Sequence, residues 1–236
     1  PGQSRHAADE LFVHELFGCM RSCGSVADVL DFVGDKRLVQ YSGVTLHALM
    51  ADPAGNAMIA EAGEGGNEFL PIDGDYIVMT NFKNSDFTDA SVGSGPGADR
   101  YVAAHEFIGE NMEGFGLEQA FEALRLTAQG GSYSTLCSMV FMPGERSVYV
   151  VLHRNYDQVW KISIPSGTIE TYRGFDTDMK YHIPKDGVLA SDLLNGDFAA
   201  YEVYAEGEAE ADTCEEPGPR WYVSPLAIAL ALALAV

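Results

Sequence analysis

Side chains able to do chemistry are few in this chain, and their spacing limits what they can do. The 236 residues include four cysteines, Cys19, Cys23, Cys137 and Cys214, with no CxxC pair of the kind that holds zinc. Cys19 and Cys23 stand four apart on a predicted helix and so share a face, where two small buried hydrophobes are expected in preference to a metal or redox pair. Six histidines, at positions 6, 14, 47, 105, 153 and 182, form no HExxH or similar grouping, which argues against a metal hydrolase. A GxSxG elbow, a P-loop and a dinucleotide glycine fingerprint are absent. No metal and no cofactor is expected. What remains is a set of polar residues at the ends of predicted elements: Asn81 between Thr80 and Phe82, Arg100 beside Asp99, and Thr135 and Ser138 on one strand. Each has a plain structural reading, as an amide capping the loop after a strand, a surface charge at a helix start, and hydroxyls satisfying neighbouring strands.

The elements that must position these residues follow from hydrophobic period and turn chemistry. Ala7, Leu11, Leu16 and Met20 recur at helical spacing and predict an amphipathic helix over 7–20. A shorter helix opens with Ser25 as N-cap and Asp28 three residues on, and stops at Gly34. The period then changes to strands over 45–50 and 57–61, joined by the turn Asp52-Pro53-Ala54-Gly55-Asn56, and over 69–72 and 76–81, joined by Asp73-Gly74-Asp75. Four strands are thus expected to meander before a Gly- and Ser-rich loop over 84–98. Helices are expected over 99–111 and 117–129, the second broken by Gly130-Gly131. Strands resume over 135–141, 147–152, 158–164 and 168–172, separated by MPGE, HRNYD and PSG, all hairpin-turn compositions. On the first of these, alternation puts Thr135, Cys137 and Met139 on one face and Leu136, Ser138 and Val140 on the other. Helices, strands, helices, strands with short connections predict an α+β fold of two antiparallel sheets with helices on the outer faces.

Composition bounds the rest. At 47% hydrophobic and 11% aromatic the chain has enough apolar material for a core, and its net charge of −21 repels nucleic acid. The run from Glu206 to Glu216 carries six acids and is followed by Pro217-Gly218-Pro219, so 205–220 is expected as an acidic linker after a domain at 1–204. The hydrophobic tail 221–236, if helical, is about 24 Å long against a hydrocarbon core of about 30 Å. It is expected as a partial membrane anchor with Trp221 and Tyr222 at the interface, the alternative being a hydrophobic end packed on the domain or a partner. Extracellular or cell-surface placement goes with that expectation. Pro1 in place of a methionine reads as the cut edge of something larger.

Four stretches occur together in order: "HALMADPAGNAMIAEAG" from His47, "DGDYIVMTNF" from Asp73, "ADRY" from Ala98 and "YSTLCSMVFMPGERSVYVVL" from Tyr133. Over about residues 8–165 this set resembles the linear-amide C–N hydrolases of the N-terminal-nucleophile (Ntn) superfamily. That group includes acyl-coenzyme A:isopenicillin N acyltransferase-like proteins, choloylglycine hydrolases, penicillin V acylases and, more distantly, acid ceramidase. The family's Thr-Asn-aromatic strand end is matched by Thr80, Asn81 and Phe82, its following Arg by Arg100, and its Thr/Ser-x-x-Ser/Thr-x-Val strand start by Thr135, Ser138 and Val140.

The resemblance implies a four-layer αββα sandwich, incomplete at the N-terminus, and a reaction on a small-molecule acyl-amide. An N-terminal cysteine thiolate attacks the carbonyl while its own α-amino group serves as base and then as acid. Asn81 then supplies an oxyanion donor, Arg100 orders the active-site loop or faces the substrate's polar end, and Phe82, Thr135 and Ser138 are substrate-binding. Phe87 and Tyr101 are further candidates to line an acyl pocket. The family's nucleophile lies ahead of the first helix pair, so it is expected upstream of this chain, which by itself is expected to be inactive. Met139 stands near where choloylglycine hydrolases carry an Arg, a departure that argues against a bile-acid-type substrate. The competing expectation is a non-catalytic, membrane-tethered surface binding module.

Overall fold

The structure is a computed structural model in which residues 9–40, 46–63, 66–86, 95–205 and 229–231 are described. The chain divides after Glu113 into two compact units, and the whole is mixed α+β, with antiparallel sheets and five α-helices among the described residues. The acidic linker and most of the tail, with Cys214 and Phe87, lie outside the described residues.

The first unit opens with β1 (Asp9–Leu11), α1 (Phe12–Ser22), α2 (Val26–Val33) and β2 (Arg37–Val39). Ser25 and Gly34 bound α2 as expected: the Ser25 hydroxyl accepts from Asp28 N–H at 3.1 Å, and the Gly34 N–H donates to Leu30 C=O at 2.9 Å. The helix expected from residue 7 instead starts at Phe12. Asp9–Leu11 pair in parallel with Arg37–Val39, and that ladder takes the backbone groups a helix would need. A three-residue parallel pair has no local signal, so an all-antiparallel reading missed it.

β3 (His47–Ala51), β4 (Ala57–Gly63) and β5 (Gly66–Pro71) form an antiparallel meander. Asp52 fixes its first turn, accepting from the Ala54 and Asn56 N–H groups at 3.0 and 3.1 Å. Its second oxygen takes the Val26 N–H at 3.1 Å, tying the turn to the start of α2. Met58, Ala60 and Ala62 face α1 and α2 and pack with Phe12, Cys19, Val29 and Val33. Each buried Met, Val or Phe side chain there contributes about 1.5–3 kcal/mol before ordering costs. The alternate residues of β4, Ile59 and Glu61, point to the opposite face and are both fully buried.

The expected fourth strand over 76–81 is not formed. Gly74, at φ 114°, turns the chain off the meander, and the Val78 carbonyl accepts from the Asn84 side-chain amide at 2.8 Å, where a strand would pair it with a neighbour. This segment and α3 (Ala98–Glu110) are joined by their aromatic side chains, with Phe82 against Tyr101 at 5.0 Å between ring centroids and Tyr76 against His105 at 5.1 Å.

The second unit holds α4 (Leu117–Thr127), β6 (Cys137–Met142), β7 (Ser147–Leu152), β8 (Val159–Ser163), β9 (Thr168–Arg173), β10 (Lys180–His182), α5 (Ala190–Asn195) and β11 (Ala229–Ala231). The sheet order is β10-β9-β8-β7-β6-β11, antiparallel throughout. Both faces are covered, which is why every residue of β7 is buried. On one face Val140, Tyr149, Val151 and Val159 pack on Ala120, Phe121 and Leu124 of α4. On the other, Val148, Val150, Leu152 and Trp160 meet Leu193, Phe198 and Tyr201. The alternation expected along β6 holds, with Val140 on the α4 side and Cys137, Met139 and Phe141 on the other. The strand itself starts at Cys137, two residues later than expected, because Thr135 is held in a loop by Gln129. Three tail residues form β11 beside β6, while among the described residues no helix is long and apolar enough to cross a membrane.

The β7–β8 hairpin turns through His153 and Arg154, both left-handed at φ 50° and 62°, with the Asn155 N–H donating to Leu152 C=O at 2.9 Å. Two consecutive positive φ values mark a type I′ turn, which favours Asn-Gly. His and Arg in those places cost about 1 kcal/mol or more each.

Candidate functional site

Asn81 and Arg100 meet. The segment leaving the meander delivers Asn81 to the start of α3, and an Arg100 guanidinium nitrogen from the first turn of that helix donates to Asn81 Oδ1. Because a guanidinium has only donors, this contact fixes which end of the amide faces it. Asn81 is exposed, and its Nδ2–H groups donate to no described residue. Gly97, at φ 85°, makes the approach close: a Cβ there would lie 2.9 Å from Asn81 Oδ1, 3.0 Å from Arg100 Nη2 and 3.2 Å from the Asn81 backbone nitrogen. Sequence reasoning did not single out Gly97; the signal available was a glycine just ahead of a predicted helix.

The loop carrying Asn81 is anchored from below by Glu61. The Asn84 N–H donates to Glu61 Oε1 at 2.7 Å and the Ser85 N–H to Oε2 at 3.1 Å. His47, opposite Glu61 in the β3–β4 register, places Nδ1 3.6 Å from Oε1, an ion-pair approach longer than a hydrogen bond. Burial works against charge on Glu61, but the His47 ring and the Asn84 and Ser85 backbone N–H groups outweigh it and hold the carboxyl at about 2. The two backbone donors have the firmest geometry of these. Thr80, just before Asn81, is buried, and its hydroxyl meets no partner among the described residues. Phe82 is buried against Tyr101.

Thr135 and Ser138 belong to the second unit, and their hydroxyls are engaged there. Thr135 Oγ1 accepts from the Gln129 N–H at 2.9 Å, closing the loop after α4. Ser138 Oγ pairs with the Tyr156 hydroxyl at 3.1 Å in the sheet interior. The cysteines in described segments are free thiols. Burial, then the neighbouring Cys23, push the Cys19 thiol up to about 11, and burial pushes Cys137 up. Cys19 at neutral pH therefore carries roughly a hundredth of the thiolate of an ordinary cysteine, the wrong direction for a nucleophile. Among the described residues no three His, Cys, Asp or Glu side chains gather as a metal would require.

Comparison with known protein families finds no match, and none is found among curated proteins. Among solved structures, the chain is similar to two variants of conjugated bile acid hydrolase from Clostridium perfringens. For one the TM-score is 0.40 at 12% identity, covering 78% of this chain and 70% of that one. For the other it is 0.40 at 13% identity, covering 80% and 72%.

Proposed function

We propose that this chain is part of a linear-amide C–N hydrolase or acyltransferase of the Ntn type, in which Asn81 donates to the oxyanion and Arg100 holds Asn81 in place. The observation that carries the reading is the Arg100–Asn81 contact. With Oδ1 committed to a cationic donor, the amide N–H groups are the end of this exposed residue turned away from Arg100, and a pre-oriented N–H is what a developing oxyanion requires. The ordered motifs around Thr80-Asn81-Phe82 and Arg100 support it independently.

The nucleophile in this reading is an N-terminal cysteine ahead of the first helix pair, as the resemblance implies, and the upward shifts of the Cys19 and Cys137 thiols run against a nucleophilic role for either of them. The substrate is a small-molecule acyl-amide. Thr135 and Ser138 enter as positions that shape the second unit through Gln129 and Tyr156, and the four-layer αββα arrangement belongs to the same proposal. Surface placement through the acidic linker and hydrophobic tail goes with it.

The test is turnover of a panel of acyl-amides by the complete protein carrying its N-terminal cysteine. Asn81→Ala is expected to lower kcat about 10²–10³-fold with near-UV circular dichroism unchanged. Unaltered kcat in a folded variant removes Asn81 from the reaction. Turnover by the 236-residue chain alone contradicts the placement of the nucleophile.

A further inference from the structure

The second unit contains a cationic cleft that the amidase reading does not use. It has a volume of about 330 Å³ and lies between the end of α4 and the β7–β8 turn, lined by Arg125 and Ala128 on one side and by His153, Arg154, Tyr156 and Asp157 on the other. The surroundings make the cluster unexpected. The chain has 35 acidic residues against 14 lysines and arginines, yet among the described residues Arg154 makes no ion pair or hydrogen bond. Its guanidinium extends over Gly130, where a Cβ would come within 3.2 Å of Nη1. Arg125 lies over the Tyr156 ring at 5.1 Å and among the described residues pairs only with Glu122, at 3.4 Å on the exposed helix surface, a contact of the kind that contributes little. Asp157 is the one carboxylate lining the cleft, and it pairs with neither arginine.

A helix C-terminus accounts for a cation at Arg125, since it meets the negative end of the α4 dipole. It does not account for Arg154, which is held at φ 62° in a turn that glycine would fill without strain. A non-glycine pair kept in the left-handed region, carrying two cationic or protonatable side chains into a cleft, is a local rule broken at a place where a ligand can compensate.

We propose that this cleft binds an oxyanion, a phosphoryl or carboxylate group carried by a small molecule, between the Arg125 and Arg154 guanidinium groups with His153 beside them. Two guanidinium forks match the planar or tetrahedral oxygens of such a group, and the cleft is larger than the anion alone, so the remainder of the ligand occupies it too. The proposal stands on the second unit by itself and is independent of the amidase reading.

The experiment is titration of the purified chain with inorganic phosphate and, separately, with acetate at low ionic strength, followed through backbone amide shifts. Saturable shifts confined to residues 125–130 and 153–157 are expected with at least one probe; saturation by phosphate assigns a phosphoryl ligand, and saturation by acetate alone a carboxylate. Arg154→Gly separates binding from folding. Glycine relieves the turn, so the melting temperature is expected to rise by about 2 °C, while affinity for the probe falls about tenfold or more. Arg125→Gln is expected to weaken binding in the same direction. Absence of saturation with both probes, or an Arg154→Gly variant that binds as well as the parent, overturns the proposal.

Discussion

At the scale of single residues, the account turns on a donor that can face only one way. Arg100 has no acceptor to offer, so Asn81 must present its carbonyl oxygen to it and its N–H groups elsewhere. Arg100 is thus a positioning residue, and its effect on rate should run through Asn81. Arg100→Gln in the complete protein is expected to lower kcat by about tenfold, less than loss of Asn81 itself, because the amide remains but its orientation is no longer fixed. Both residues were legible as candidates from the TNF and ADRY stretches. Their contact was not, since nineteen residues separate them and nothing local records that the first turn of α3 comes to lie beside Asn81. Gly97 escaped notice for the same reason: its role is steric and exists only once Asn81 and Arg100 are both beside it.

At the scale of elements, Glu61 ties a central strand to the loop that displays Asn81. Its carboxyl is held at about 2, below the ordinary range, so its contribution to stability is fully present above pH about 4.5 and is lost as pH falls toward 2. Glu61→Gln removes the charge that accepts the Asn84 and Ser85 N–H groups and is expected to cost about 1–3 kcal/mol at neutral pH. The stability difference between parent and variant should shrink on acidification through that window, measured by urea unfolding at a series of pH values. A difference independent of pH would place the stabilisation elsewhere. Elements with local punctuation were readable in advance: Ser25 and Gly34 bound α2, and the Asp52–Asn56 turn sets the register that puts His47 opposite Glu61. Elements defined by distant partners were not. The β1–β2 pair joins residues on either side of two helices, and the segment over 76–81 has strand composition but turns its Val78 carbonyl to the Asn84 side chain. The β7–β8 turn was visible in HRNYD as a turn, while its left-handed geometry, achieved without glycine, was not.

At the scale of the whole molecule, charge is the dominant feature. A net charge of −21 on 236 residues opposes compaction by self-repulsion. Raising sodium chloride from about 10 mM to about 150 mM shortens the screening length from about 30 Å to about 8 Å, so the melting temperature of the chain is expected to rise across that range in scanning calorimetry. A fall would mean that its ion pairs outweigh the repulsion. The pairs of Lys161 and Lys180 with Glu170 are partly exposed and weak. The same acidity makes the Arg125–Arg154 cleft a local exception, because cations in this chain have carboxylates in excess to pair with. Each unit has its own core, and the proposed oxyanion donor and the proposed anion cleft lie in different units, so loss of one function should leave the other intact.

The central claim is that Arg100 acts on the reaction by orienting Asn81, and a double-mutant cycle in the complete protein tests it most directly. The measurement is kcat for the parent, Asn81→Ala, Arg100→Gln and the double variant on one acyl-amide substrate. The account predicts that the double variant is no slower than Asn81→Ala alone. Effects that multiply as independent losses would contradict it.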